Sequence, residues 1–171
     1  MQSLFDKWKT KIPKYSVNHK DLFTSLSQKY GAEGEKKINL GKHFSTNYEL
    51  YMYALFLGLY ENELTPIDKS EKKIDFSHHI QYWGNKSTLR KDFSNLQEFM
   101  FVSLLAKTDI DLIGLEKGEI IEEDAVKQLI TTMESYTNGG LNIITDKLND
   151  NPNHYLNPTS FLDGILNSIN K

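Results

Sequence analysis

The segment TNYELYMYALFLGLY, residues 46–60, decides the fold of this chain of 171 residues. Its apolar side chains recur at the spacing of one face of an α-helix, and further apolar residues occupy much of the opposite face. Thr46 and Glu49 stand three residues apart, as the capping box at a helix N-terminus requires. Because a helix that is apolar nearly all round lies inside its core, we predict a central helix from Thr46 to about Tyr60.

Further helices are predicted on both sides of this segment. Asn18 is expected to cap a helix whose apolar stripe ends near Gly31, where the glycine stops it. Ser94 and Gln97 form a second capping box before another helix, expected to be strongly buried, that reaches residue 105. These two helices are expected to pack against the central one.

Another helix is predicted to begin at Glu122, where three acidic residues favour the positive end of the helix dipole. The pair Gly139 and Gly140 is expected to end or sharply bend this helix, with at least one glycine at positive φ. A short helical run over residues 141–148 follows, and the Asn-Pro pair at 157–158 begins the last helix.

Residues 67–93 are polar and show no sustained periodicity, so we predict a long irregular segment with one short helix around residues 78–83. No pair of alternating strands is evident. The expected fold is all-α: one domain over residues 1–171, built as a bundle of about six helices with the irregular segment at 67–93.

Composition and motifs exclude several functions. The chain has no cysteine, which removes disulfides, thiolate zinc sites and cysteine nucleophiles. It contains neither a phosphate-binding glycine loop nor a nucleophile elbow, and Ile113 and Ile120 occupy ligand positions of the calcium-loop pattern that starts at Asp109. We therefore expect no cofactor and no metal, and we assign no catalytic residue. Without a signal peptide or a long apolar stretch, a cytoplasmic protein that does not contact membranes is expected.

Charge is distributed unevenly, although the net charge is only −3. Residues 1–43 contain nine lysines and four acids, whereas residues 109–124 contain seven acids and a single base, Lys117. Residues 69–91 mix bases with aromatic side chains, a combination that can follow phosphates while stacking on bases. The candidate residues for contact with a partner or with nucleic acid are Lys72, Lys73, Tyr82, Trp83, Arg90 and Lys91.

Two segments resemble a known group of proteins. Residues 44–66 contain Thr46, Glu49, Ala54, Gly58 and Tyr60 in an arrangement that resembles the small helical accessory proteins encoded beside bacterial DNA-modification and phage-defence genes, the phosphorothioation-associated (Dnd) group. The segment MESYTNGGL, residues 133–141, is similar to such proteins as well. This resemblance implies a bacterial cytoplasmic accessory protein that works with DNA-acting partners, and it implies no active-site residues.

Three hypotheses follow for the function. The first is a non-enzymatic adaptor that docks a larger protein partner through residues 67–93 or through the acidic residues 109–124. The alternative is a nucleic-acid-binding module that uses the basic block 1–43 together with residues 69–91. The weakest alternative is a hydrolase that acts through surface carboxylates. A continuous basic face would favour nucleic acid, and scattered charge would favour the adaptor.

Overall fold

The structure is a computed structural model that describes residues 3–27, 44–76, 78–85, 92–157 and 159–169. Within these residues the chain is predominantly helical, with seven α-helices and two short strands. In chain order the elements are α1 (Leu4–Lys9), β1 (Lys14–Ser16), α2 (Lys20–Leu26), α3 (Asn47–Glu61), β2 (Lys73–Asp75), α4 (Leu96–Leu105), α5 (Leu112–Glu116), α6 (Glu122–Asp150) and α7 (Thr159–Ile169). Short 3₁₀ turns cover Val17–His19, Ile80–Tyr82 and His154–Leu156.

Helix α3 is the central helix that the sequence predicts. The Thr46 hydroxyl accepts the backbone N–H of Glu49 at 3.4 Å, and the Glu49 carboxylate accepts the N–H of Ser45 at 2.6 Å. The helix ends at Asn62, whose φ of 54° is the left-handed conformation of many helix C-termini. Residues from both sides of α3 are fully buried, so the helix lies inside the core.

Helix α6 corrects the prediction of a break at Gly139 and Gly140. It runs without interruption for 29 residues, and neither glycine has a positive φ. The two glycines are needed because other segments of the same chain pack directly against α6. A Cβ added at Gly140 would lie 1.9 Å from the Ala54 carbonyl oxygen of α3. At Gly139 the added Cβ would lie 2.0 Å from the Glu63 carbonyl oxygen.

The approach is reciprocal, which makes the α3–α6 crossing unusually close. A Cβ added at Gly58 of α3 would lie 2.0 Å from the Tyr136 carbonyl oxygen of α6. Glycine on both helices therefore lets the two backbones touch, whereas typical helix axes stay 8–10 Å apart because of the side chains between them. This crossing is the centre of the fold.

A small antiparallel sheet departs from the all-α prediction. Strand β1 pairs with β2 in a register that places Lys14 opposite Asp75 and Ser16 opposite Lys73. The Tyr51 hydroxyl of α3 donates to the Lys14 carbonyl at 3.1 Å, which fastens the sheet to the central helix. Each strand has only three residues, which is too short for an alternating pattern to be recognised in the sequence.

Two short helices were not predicted, and one predicted cap is wrong. Helix α1 is capped by Ser3 and buries Trp8, and α5 lies inside the acidic segment 109–124, where no helix was predicted before Glu122. The capping box expected at Ser94 does not form. Instead, the Gln97 side chain is buried and donates to the Trp83 carbonyl at 2.6 Å. The helix expected from Asn18 begins at Lys20 and ends at Leu26, and residues 28–31 lie outside the described part of the chain.

Candidate functional site

The contact residues predicted from the sequence have very different environments. Lys72 and Lys73 are exposed, Lys73 as the first residue of β2, and Tyr82 is 56% exposed in the 3₁₀ turn. Trp83 is 0% exposed, because its ring packs against those of Tyr51 and Phe76, with ring centroids 5.3 and 5.2 Å away. Trp83 therefore serves the core and is not available to stack on a base. Arg90 and Lys91 lie outside the described residues.

The structure brings residues 10–17 of the basic N-terminal block beside residues 72–80 of the mixed basic and aromatic segment. Besides the β1–β2 pairing, the backbone N–H of Val17 donates to the Lys72 carbonyl at 2.9 Å. The N–H of Ile80 donates to the Lys11 carbonyl at 3.1 Å. Residues 10–17 therefore run alongside residues 72–80.

Acidic groups interrupt this basic surface. Lys14 forms an ion pair with Asp75 at 3.4 Å, and the Glu71 carboxylate accepts the Ser16 hydroxyl. The Glu134 carboxylate accepts the Lys14 backbone N–H at 2.8 Å, and burial raises its pKa above the ordinary value of 4.5. Within the described residues the charge here is therefore mixed, without one continuous basic face.

The acidic segment 109–124 is built around α5 and the start of α6. The Asp111 carboxylate caps α5 by accepting the backbone N–H groups of Ile113 and Gly114 at 3.0 and 2.9 Å. Gly118 follows the helix with a φ of 74°, a left-handed conformation that glycine adopts without strain. This turn leads the chain into Ile121, the residue before α6.

Large apolar side chains of this segment remain in water. Leu112 is 48% exposed, Ile113 65% and Ile121 63%. The stretch that contains them has seven acids and one base. In so highly charged a segment, the other surface side chains would be expected to be polar. Three large exposed apolar residues within ten positions of one segment make it a candidate for a surface that another molecule covers.

A groove of about 720 Å³ opens between α1 and this segment. Its apolar lining comes from Leu4 of α1 and from Leu112, Leu115 and Ile120. Ser3, Lys7, Glu116, Gly118 and Glu122 complete the lining. The groove therefore offers an apolar floor with a charged border.

Lys7 joins the basic N-terminal block to the acidic segment at the border of the groove. Its ammonium group pairs with the Glu122 carboxylate and lies 3.7 Å from that of Glu123. The hydrogen bond to Glu122 raises the pKa of Lys7. Among the described residues, Lys7 is therefore the point at which the basic N-terminal block forms ion pairs with the acidic segment.

A buried polar network, for which the sequence shows no motif, lies beside the α3–α6 crossing. The Asn138 amide of α6 donates to the Thr65 carbonyl at 3.2 Å, so its Oδ1 is the acceptor for His19 Nε2–H at 3.1 Å. Burial lowers the pKa of His19, although Asn138, Glu71 and Asn142 act in the opposite direction. The network connects the 3₁₀ turn at Val17–His19 to α6 and to the chain after α3.

Helix α4 presents a second exposed apolar face. Phe99 and Val102 are exposed, contrary to the strongly buried helix that the sequence predicts. Beside them a groove of about 430 Å³ is lined by Phe56, Leu59, Tyr60, Ser103, Ala106 and Lys107. This face lacks the acidic border of the first groove.

In the part of the chain that the structure describes, none of the helices is both long and apolar enough to cross a membrane. Among the same residues, no group of three or more histidine, aspartate or glutamate side chains is arranged to hold a metal ion. No family model, no curated protein and no solved structure matches this chain.

The exposure of Leu112, Ile113 and Ile121 is the site feature that sequence analysis missed. Their spacing in a short acidic segment fits neither a helical stripe nor alternating strands, so it carried no signal of exposure. The acidic composition of residues 109–124 was the available signal, and it did lead to this segment as a docking candidate.

Proposed function

We propose that the chain is a single helical domain that works as a non-enzymatic adaptor and docks a protein partner through residues 109–124. The observation that supports this proposal is the exposure of Leu112, Ile113 and Ile121 beside an apolar groove. Each square ångström of apolar surface removed from water contributes roughly 25 cal/mol, so covering these side chains stabilises a complex. The exposed residues contribute little to the isolated fold.

The proposed context is bacterial and cytoplasmic, with partners that act on DNA in modification or phage defence. This part rests on the resemblance of residues 44–66 and 133–141 to Dnd-associated accessory proteins. Both segments form the α3–α6 crossing, so the resemblance concerns the scaffold that carries the docking surface.

The test is affinity purification of the tagged chain from its native host. The variant Leu112→Ser/Ile113→Ser/Ile121→Ser removes the exposed apolar group, and Leu162→Ser/Leu166→Ser changes exposed leucines of α7 as a control. We expect a partner that co-purifies with the wild type and the control but not with the first variant. Absence of any partner, or equal recovery with all three proteins, would contradict the adaptor.

Nucleic-acid binding is the alternative, and the pairing of β1 with β2 supports it because that pairing joins the basic block to Lys72 and Lys73. The acidic groups between them favour weak binding, no tighter than about 10⁻⁴–10⁻⁶ M at physiological salt. Fluorescence anisotropy with duplex and single-stranded oligonucleotides at two salt concentrations measures it. Nanomolar affinity with a steep salt dependence, lost in Lys72→Glu/Lys73→Glu, would favour this alternative over the adaptor.

A hydrolase remains the weakest alternative. Two carboxylates, those of Glu116 and Glu122, line the groove between α1 and α5. Glycoside hydrolysis by a pair of carboxylates needs both groups to face the substrate. Since Glu122 is paired with Lys7, the pair is not matched to that task.

A further inference from the structure

We infer that the groove between α1 and α5 receives a basic protein segment with apolar anchor residues, a conclusion that rests on the proposed adaptor function and specifies the partner. The groove has an apolar floor from Leu4, Leu112, Leu115 and Ile120, and the acidic segment 109–124 forms its border. An amphipathic segment with its apolar side in the groove would place its charged side among these acids.

Charge complementarity determines the sign of the charge that the partner carries. Residues 109–124 have a net charge of −6, and the nearest lysine of α1, Lys7, is already paired with Glu122 and Glu123. Glu116, which lines the groove, is exposed, and so are Glu119 and Asp124 of the same segment. Lysine or arginine of a partner would meet these carboxylates, which accelerates encounter and selects against acidic partners.

The same charge disfavours other occupants. Nucleic acid and anionic lipid surfaces would bring phosphates against a surface of net charge −6, which is repulsive. A second copy that used the same face would oppose two acidic segments across a two-fold axis, because a symmetric contact places the same patch on both sides. A cationic protein segment is the occupant that satisfies both the charge and the apolar floor.

The probe is a synthetic amphipathic peptide of leucine and lysine, about 15 residues long so that it can form a helix on binding. A peptide of the same composition in scrambled order tests the need for one apolar face. A third peptide with glutamate in place of lysine tests the sign of the charge. Anisotropy titrations of labelled peptides at low and high salt give the affinities.

Two variants test the groove. Glu116→Lys/Glu119→Lys reverses two exposed acids, of which Glu116 lines the groove. Leu112→Ser/Ile113→Ser removes two exposed apolar side chains of α5, of which Leu112 lines the groove. The matched control Asp146→Lys/Asp150→Lys makes the same charge change on exposed acids of α6, about 36 Å along the helix from Glu122. Circular dichroism confirms that each variant is folded.

We expect the basic amphipathic peptide to bind the wild type at least about tenfold more tightly than the scrambled and acidic peptides, with affinity that falls as salt rises. Each groove variant should lose about tenfold or more, and the control should stay within about twofold. Equal binding of the three peptides, no binding, or equal losses in the control and the groove variants would each overturn the inference.

The failure of this inference can be distinguished from failure of the adaptor proposal. If a host protein is retained through Leu112, Ile113 and Ile121 but the peptide titrations fail, the adaptor stands and its partner is not a basic amphipathic segment. If no host protein depends on those residues, the adaptor proposal itself fails, whatever the peptides do.

Discussion

The α3–α6 crossing and the acidic segment 109–124 use the same kinds of residue in opposite ways. At the crossing, Leu55 and Leu141 are fully buried and glycines bring the two backbones into contact. In the acidic segment, Leu112 and Ile113 face water. Apolar residues in the first region therefore maintain the fold, whereas those in the second contribute little to it. Residues that the fold does not need are the better candidates for binding.

The largest effect is expected for Gly140→Ala, which tests how close the crossing is. The new methyl group would lie 1.9 Å from the Ala54 carbonyl oxygen, so the helices must separate or shift. Overpacking in a core costs typically 1–3 kcal/mol, and a clash with backbone should exceed this, at about 4 kcal/mol or complete loss of folding. Urea unfolding measures the change in the free energy of unfolding.

Gly164→Ala in α7 is the matched control for that substitution. Its added Cβ would meet the flexible end of Lys147 at 3.2 Å, and alanine has the higher helix propensity. The control should be neutral or stabilise by up to about 1 kcal/mol. A Gly140→Ala protein as stable as the wild type would show that the two backbones do not touch.

Leu55→Ala tests the burial of α3 without a backbone clash. Leu55 is 0% exposed, so its removal leaves a cavity and should lower the free energy of unfolding by roughly 2–5 kcal/mol. Chemical denaturation of the variant beside the wild type gives the value. A loss below about 1 kcal/mol would mean that α3 is peripheral, because well-buried leucines are rarely so tolerant.

A smaller effect is expected from the protonation of His19, beside the crossing. Because burial lowers its pKa in the folded state, the unfolded chain binds the proton first as pH falls below the ordinary value of 6.5. The stability that comes from keeping His19 neutral is therefore fully present above pH 6.5 and is lost as pH falls through the lower pKa of the folded state. Thermal unfolding across this range measures the loss, and His19→Gln, which keeps a donor for Asn138 but does not titrate, should reduce it.

Glu134 needs its own control in that experiment because its contribution has the opposite sign. Its pKa is raised in the folded state, so the contribution is present below 4.5 and lost as pH rises through the folded value. Glu134→Gln removes the titration of this carboxyl group and with it this contribution to the pH dependence of stability. If His19→Gln leaves the acid sensitivity unchanged in the presence of Glu134→Gln, the His19 network does not cause it.

The smallest effect on stability is expected in the acidic segment. Ile113→Ser removes a side chain that is 65% exposed, so the free energy of unfolding should change by no more than about 0.5 kcal/mol. Urea unfolding under the conditions used for Leu55→Ala makes the two regions directly comparable. A loss above about 1.5 kcal/mol would place Ile113 in the core and remove the contrast between the regions.

The sequence by itself determined the positions of several helices. Thr46 with Glu49 predicted the start of α3, and the acids after Ile121 predicted the start of α6. The Asn157 carboxamide oxygen accepts the Thr159 N–H at the start of α7, as the Asn-Pro pair indicated. The caps at Thr46 and Asn157 could be predicted because a cap is a hydrogen bond between residues a few positions apart, and the acids of α6 act on the dipole of their own helix. The capping box expected at Ser94 failed because the Gln97 side chain is used in a contact with the distant Trp83 carbonyl.

Only the tertiary structure decided the meaning of Gly139 and Gly140, the burial of Trp83 and the exposure of Ile113. A glycine pair suits a helix end and a close helix crossing equally well, and the choice depends on the carbonyl groups of Ala54 in α3 and of Glu63 just after it, far earlier in the chain. Likewise, an aromatic or branched side chain is buried or exposed according to what faces it. Interactions between residues close in sequence determine turns and caps. Contacts between distant segments determine which apolar residues the fold covers and which it leaves for a partner.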